Sequence, residues 1–282
     1  MIRLLAPAKV NLTLEVLGRR PDGYHELRTV LQTVSLYDEL LLSSSDDLHF
    51  TCSEARLSGQ DNLVVRAAQL LAERAGVRGG ATIHLVKRIP AAAGLGGGSS
   101  DAATALVGLA RLWELDWSIE RLQPLAAELG SDVPFFLWGG TALAEGRGER
   151  VTPLPPVAGM WFVLLPASDE AGGKTKRIFA ALTPVDYSSG EATARLVAQL
   201  RGGRADPAAF ANDLTAAARR LFPPVNAAFS ALAAVGARPH LAGAGPSVFA
   251  ATTDRAEAER WAEALRARGV TAVVAEAVSN GR

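Results

Sequence analysis

Residues 90–101 read Pro90-Ala91-Ala92-Ala93-Gly94-Leu95-Gly96-Gly97-Gly98-Ser99-Ser100-Asp101, between a strand-like run at 81–87 and an alanine-rich helical run from about 100 to 113. Four glycines in five residues allow positive φ and a close backbone approach to a ligand. At a strand-to-helix junction, successive N–H groups converge on an anion, and the helix start adds partial positive charge. Ser99 and Ser100 place hydroxyls where a phosphate or a metal would use them. The pattern predicts a triphosphate cradle, with a flexible linker or a tight turn as the plain alternative. It is not a P-loop, and G-x-G-x-x-G is broken because Ser99 stands at its last glycine. Gly173-Lys174-Thr175 approaches a P-loop ending, but Ser168 occupies the first glycine position, so that match is discarded.

Around this loop the chain alternates strands and helices. Strands are expected at 10–17, 28–35, 39–45, 47–52, 81–87, 161–165, 248–252 and 271–277. Helices are expected at 62–75, 119–129, 175–182, 191–201, 213–221, 225–235 and 255–268. A turn-rich passage at 143–156, with Gly146, Gly148, Pro153, Pro155 and Pro156, is the candidate domain boundary, dividing 1–152 from 153–282. The expected class is α+β with two lobes.

Composition limits the partners. Lys plus Arg and Asp plus Glu both number 29, so no net field draws in nucleic acid or an anionic membrane, and a phosphate site must be built locally. Cys52 is the single cysteine, which excludes an intrachain disulfide and a cysteine-based zinc cluster. Residues 1–18 are interrupted by Arg3, Lys9, Asn11 and Glu15, unlike the apolar core of a signal peptide. No apolar stretch approaches the ~20 residues that span a bilayer. A cytoplasmic protein is expected.

The segment 90–101 resembles the second motif of the GHMP kinases. Ala6-Pro7-Ala8-Lys9-Val10-Asn11-Leu12 is similar to the first motif, and Leu241-Ala242-Gly243-Ala244-Gly245-Pro246-Ser247 to the third, with Ala242 and Ala244 in place of small hydroxyl residues. Gly18-Arg19-Arg20-Pro21-Asp22-Gly23-Tyr24-His25-Glu26-Leu27 narrows the resemblance to the diphosphocytidyl-methylerythritol kinase branch. The resemblance implies a ribosomal-protein-S5-like N-terminal part and a ferredoxin-like C-terminal part. It implies that Pro90, Ala91, Ala92, Ala93, Gly94, Leu95, Gly96, Gly97, Gly98, Ser99 and Ser100 wrap the phosphates of ATP.

It further implies that Asp132, in Gly130-Ser131-Asp132-Val133-Pro134, is the catalytic base and that Lys9 lies near the transferred phosphoryl group. Asn11, Tyr24, His25, Thr175 and Phe179 are the expected substrate contacts, with Tyr24, His25 and Phe179 toward a cytosine. Read without the resemblance, Asp132 is a capping or turn residue. Lys9 and Asn11 are then polar strand positions, Tyr24 and His25 turn residues, and Phe179 core packing. Asn212-Asp213-Leu214 matches a short family element and also reads as a helix cap.

The implied activity is ATP-dependent phosphorylation of a diphosphocytidyl-methylerythritol hydroxyl in isoprenoid biosynthesis. Mg2+ is expected with ATP, without a dedicated protein cage. The rivals are another GHMP kinase, of homoserine or mevalonate type, and a non-catalytic binding protein of the same fold. A nucleic-acid binder is disfavoured by zero net charge and the lack of a basic-aromatic stripe.

Overall fold

A computed structural model describes residues 1–157, 159–169 and 172–279. In chain order the first elements are β1 (Ile2–Arg19), β2 (His25–Ser45), β3 (Leu48–Cys52), α1 (Leu63–Ala75), β4 (Gly80–Val86) and α2 (Gly97–Leu112). Next come α3 (Ile119–Leu129), α4 (Val133–Trp138), β5 (Thr141–Gly146), β6 (Arg150–Pro153), β7 (Trp161–Leu165), α5 (Lys174–Ala180) and α6 (Glu191–Arg201). The chain continues with β8 (Ala211–Asn212), α7 (Leu214–Leu221), α8 (Pro223–Ala233), β9 (His240–Leu241), β10 (Val248–Thr252), α9 (Arg255–Arg266) and β11 (Val273–Glu276). The class is α+β, as the sequence leads one to expect.

Two compact units share this chain, and both are discontinuous. The first comprises Met1–Ala8, Leu36–Ile89 and Gly96–Trp138; the second comprises Lys9–Ser35, Pro90–Leu95 and Gly139–Arg282.

In the first unit, β4 lies antiparallel to the later half of β2, with Glu39 opposite Val86 and Ser45 opposite Gly80. β3 joins β4 in parallel, Leu48 facing Ala81. Helix α1 starts where Asn62 accepts the Val64 N–H and stops at Gly76 in the left-handed conformation. It packs on α2, which buries most of its length through small residues such as Ala102, Ala103 and Ala105. At Gly108, α2 comes so close to the strands that a β-carbon would lie 2.4 Å from a Leu42 methyl. Helix α4 closes this unit against α2 and α3.

In the second unit, β5 lies antiparallel to the first half of β2, and β6 follows β5 as a hairpin. β1 pairs with β8 in parallel through Thr13–Ala211 and Leu14–Asn212. A four-stranded antiparallel sheet runs β11-β7-β10-β9. Its apolar residues, among them Val163, Val248 and Ala250, share a core with Leu14, Ile178, Leu214, Val225 and Leu232. Each fully buried valine, leucine or isoleucine there contributes about 1.5–3 kcal/mol relative to exposure.

The structure adds to the sequence reading at three places. Runs 28–35 and 39–45 form one strand, β2, which carries the buried Asp38 within it. Helix α4 was not anticipated, because Val133-Pro134-Phe135-Phe136 is uniformly apolar and carries no helical period. The turn-rich passage 143–156 holds the β5–β6 hairpin, with Gly146 and Gly148 at positive φ in its turn. No described helix is long and apolar enough to cross a membrane.

Candidate active site

Lys9 lies in β1 and is almost wholly buried. Its ammonium donates to Asn11 Oδ1 at 2.8 Å, and Asn11 Nδ2 donates to Thr29 Oγ1 on the adjoining strand β2 at 2.8 Å. The Thr29 hydroxyl donates in turn to the Thr13 carbonyl. Alternation along β1 puts Lys9, Asn11 and Thr13 on one face, so the lysine is held by a row of polar neighbours rather than extended into water. The backbone N–H of Lys9 donates to the Leu95 carbonyl at 2.9 Å, tying β1 to the first glycine-rich loop.

That loop meets the second one, 241–247, within the same unit. A β-carbon on Gly94 would lie 2.3 Å from the Ala242 carbonyl oxygen and 2.7 Å from that of Gly245. Gly94 also has φ +82°, so only glycine satisfies both the space and the backbone. Ser247 N–H donates to the Ala93 carbonyl at 3.2 Å, and Gly243 sits where its β-carbon would be 3.2 Å from the Lys9 ammonium.

The carbonyls of residues 241–245 are engaged. Asn212 Nδ2 donates to the carbonyls of Leu241 at 3.0 Å and Gly243 at 2.8 Å, while its Oδ1 accepts the Leu214 N–H that opens α7. Asn212, one residue before the Asp213 N-cap, therefore both takes the first N–H of α7 and fixes the loop. Gly245 N–H closes on the Ala242 carbonyl at 2.7 Å. The Lys174 ammonium, 3% exposed, donates to the Ala244 carbonyl at 2.9 Å and to the Gly245 carbonyl. Burial pushes the Lys174 pKa down to about 8, with Asp169 opposing that shift and the positive charge of Lys9 adding to it. Sequence reasoning weighed Lys174 only within the discarded Gly173-Lys174-Thr175 match and gave it no role.

In the first unit, α2 opens directly after Gly96. Ser100 Oγ, Asp101 Oδ1 and Thr104 Oγ1 are buried without a hydrogen-bond partner in its first turns. Lys87 bridges the carboxylates of Asp38 and Asp101, the latter at 2.7 Å, and Asp38 also accepts the Ile89 N–H at 2.8 Å. Burial works to lower the Lys87 pKa, but the two carboxylates outweigh it and hold it above the ordinary value. Burial, opposed by Lys87 and reinforced by Asp38, pushes the Asp101 carboxyl up to about 7. Asp101 thus belongs to a buried ion cluster under the start of α2. Among the described residues no group of three or more His, Cys, Asp or Glu is arranged to hold a metal. The orphaned Ser100 hydroxyl is the protein donor that suits a magnesium ion arriving with nucleotide phosphates.

Asp132 occupies the turn between α3 and α4 in this same unit and is half-buried. Helix α3 ends as the Gly130 N–H donates to the Ala126 carbonyl, and Val133 N–H reaches back to the Gly130 carbonyl at 3.4 Å. Packing of α4 against α2 and α3 fixes this turn.

His25, Phe179 and Tyr187 form an aromatic group in the second unit. The His25 ring stacks at a tilt on Phe179 with centroids 5.1 Å apart and meets the Tyr187 edge at 6.0 Å. Burial, with help from the Arg19 charge, holds the His25 pKa below its ordinary value, leaving the ring neutral at pH 7. Tyr24 is exposed beside it, with the Arg147 guanidinium 5.3 Å above its ring. Phe179 also rests against the core of this unit, so stacking and packing coexist. Thr175 is exposed on α5. The second unit thus brings together Lys9, Asn11, residues 90–95 and the third motif, and separately the aromatic group. Ser99, Ser100 and Asp132 belong to the first unit.

GHMP kinases N terminal domain matches residues 62–140, and GHMP kinases C terminal matches residues 195–271. A 4-diphosphocytidyl-2-C-methyl-D-erythritol kinase of Dehalococcoides mccartyi is 45% identical over 262 residues, 92% of each chain. The protein of the same name from Pelotomaculum thermopropionicum is 44% identical over 272 residues, 94% of each. A crystal structure of 4-(cytidine 5'-diphospho)-2C-methyl-D-erythritol kinase superposes with a TM-score of 0.82 at 40% identity, covering 99% of this chain and 100% of that one. Homoserine kinase from Cytophaga hutchinsonii shares the fold, with a TM-score of 0.77 at 21% identity over 99% of this chain and 95% of that one.

Proposed function

Because the chain belongs to the 4-diphosphocytidyl-2-C-methyl-D-erythritol kinase family of the GHMP kinases, we propose that it phosphorylates the 2-hydroxyl of 4-diphosphocytidyl-2-C-methyl-D-erythritol with ATP. The products are the 2-phosphate and ADP, a step of non-mevalonate isoprenoid biosynthesis, carried out in the cytoplasm. What supports this reading most directly is the interlock at Gly94, where two glycine-rich loops close on each other beside the buried Lys9.

The hydroxyl oxygen attacks the γ-phosphorus in line, the bond to the β–γ bridging oxygen breaks, and ADP leaves with that electron pair. Asp132 accepts the hydroxyl proton. The alcohol is far less acidic than a carboxylic acid, so that transfer comes late along the reaction coordinate. Lys9, oriented by Asn11, offsets negative charge developing on the transferred group. Residues 90–100 hold the phosphates through backbone N–H groups and the hydroxyls of Ser99 and Ser100. Mg2+ held by the phosphates and Ser100 would neutralise charge on the β- and γ-oxygens. The His25–Phe179 stack, with Tyr24 beside it, provides aromatic faces for the cytosine ring, and Thr175 lies on the same side chain-bearing helix as Phe179.

The test is phosphoryl transfer by purified protein with ATP and Mg2+, comparing 4-diphosphocytidyl-2-C-methyl-D-erythritol with homoserine and mevalonate. Selective formation of the 2-phosphate is expected. Transfer to homoserine or mevalonate alone would overturn the substrate while keeping the kinase.

A further inference from the structure

Loop 241–247 separates its donors from its acceptors. The carbonyls of residues 241–245 are all engaged, by Asn212, by Lys174 and by the turn's own Gly245 N–H. Among the described residues, neither the Gly243 nor the Ala244 N–H has a hydrogen-bond partner. Consecutive N–H groups next to a glycine at φ +55° make the concave, electropositive arrangement that takes an anion. The Lys9 ammonium stands beside Gly243.

Lys174 has no part in the mechanism above, yet its charge is buried with no carboxylate oxygen of the described residues bonded to it. A buried ammonium is costly unless it is well paired, and here its partners are two peptide carbonyls. We propose that Lys174 is a positioning residue for phosphate binding: by holding the carbonyls of Ala244 and Gly245, it aims the Gly243 and Ala244 N–H groups at a phosphate oxyanion. This rests on the kinase reading for the identity of the anion.

Among the described residues, the charged groups facing Lys174 are few. Asp169 precedes α5 and accepts the Lys174 backbone N–H at 3.1 Å, and Lys9 approaches from β1. Helix α7 packs on α5, but its Arg219 bonds to Asn226, and its Arg220 acts on Asp186. Lys174 therefore titrates mainly under burial, with a pKa of about 8. As pH rises through that value the ammonium becomes an amine, its hold on the carbonyls weakens, and phosphate affinity falls.

The experiment compares the full-length protein with Lys174→Met and Lys174→Arg, after thermal melts establish folding. ADP binding is measured by calorimetry, and KM for ATP and for the acceptor separately, from pH 7 to 9.5. Lys174→Met is expected to weaken phosphate affinity at pH 7 by about tenfold, the effect of losing hydrogen bonds to a charged group. Wild-type affinity is expected to fall as pH passes about 8, and both variants to lose that limb. Lys174→Arg keeps the charge and is expected to retain more of the affinity. A change in ADP binding and ATP KM assigns the oxyanion to the nucleotide; a change in acceptor KM alone assigns it to the acceptor's diphosphate.

Wild-type affinities and an unaltered pH profile in Lys174→Met would overturn the proposal. If that variant does not fold, a wild-type limb persisting in Lys174→Arg overturns it, and a lost limb supports it. Lys174-dependent ADP binding by a protein that transfers nothing to the acceptor would sustain this inference while defeating the substrate assignment.

Discussion

Gly94 lies against Ala242 so closely that a β-carbon on it would stand 2.3 Å from the Ala242 carbonyl oxygen. No side chain fits there, and the contact joins two loops far apart in sequence. A left-handed backbone alone costs a non-glycine residue roughly 1–2 kcal/mol. Gly94→Ala is therefore expected to lose more than that and to raise the KM for ATP. Gly98→Ala is the control: its β-carbon would lie 3.8 Å from a Leu63 methyl, in ordinary contact, within a helix. Thermal melts are expected to show Gly94→Ala clearly lowered and Gly98→Ala unchanged or slightly raised.

Asp132→Asn keeps the shape of the turn before α4 and removes the proton acceptor. Its kcat is expected to drop by about 10²–10⁴-fold, the usual weight of general base catalysis, with the melting temperature nearly unchanged. Turnover close to wild type would remove Asp132 from the mechanism.

Lys9 and Asn11 are bonded at 2.8 Å and are expected to act as a unit. Lys9→Ala and Asn11→Ala each depress kcat, and the double variant loses less than the product of the two single losses. For residues in contact, a coupling of about 0.5–3 kcal/mol is the ordinary range. Strict additivity in kcat would separate the two residues functionally.

Phe179 stacks on His25 with centroids 5.1 Å apart. Phe179→Ala is expected to raise the KM for the cytidine-bearing acceptor several-fold, in line with the ~0.5–1.5 kcal/mol of an aromatic pair, while leaving the KM for ATP unchanged. Equal effects on both substrates would point to a packing role alone. His25 is kept neutral at pH 7 by burial, so acceptor KM is expected to stay flat between pH 7 and 8.

The Asp38–Lys87–Asp101 cluster carries a pH signature. Asp101 rises from 3.8 to about 7 in the fold, so the folded chain binds more protons than the unfolded chain between those values. Unfolding free energy therefore falls as pH rises across that window. Asp101→Asn is expected to remove this slope in melts taken from pH 4 to 8. Lys87→Met leaves two buried carboxylates without their cation and is expected to cost about 3–5 kcal/mol.

The loop at 90–101 was legible because its glycines answer backbone demands that no other residue meets, as φ +82° at Gly94 and +74° at Gly96 bear out. Helix α1 was legible from its apolar spacing and its Gly76 stop, which the left-handed cap bears out, and the structure adds the caps Asn62, Ser118 and Asp254 that start α1, α3 and α9. Strand β2 was not, because Asp38 reads as a break until its partner Lys87, distant in sequence, is seen. The dual task of Asn212 was half legible: its bond to the Leu214 N–H is local, but its bonds to Leu241 and Gly243 are tertiary. The burial of Lys174 was not legible, because its discarded P-loop match says nothing of what folds over it, and burial of a lysine depends on that and not on its neighbours in the chain.

The seat of Gly94 is made of residues 242–245, in a unit that takes its segments from both halves of the chain. During synthesis the N-terminal portion emerges first. The glycine loop therefore waits on the ribosome without its counterpart until residues 242–245 have been made. A nascent or C-terminally truncated chain ending before Ala242 has β1 and residues 90–95 but nothing for Gly94 to rest against, so this contact forms only once the later glycine loop has been made.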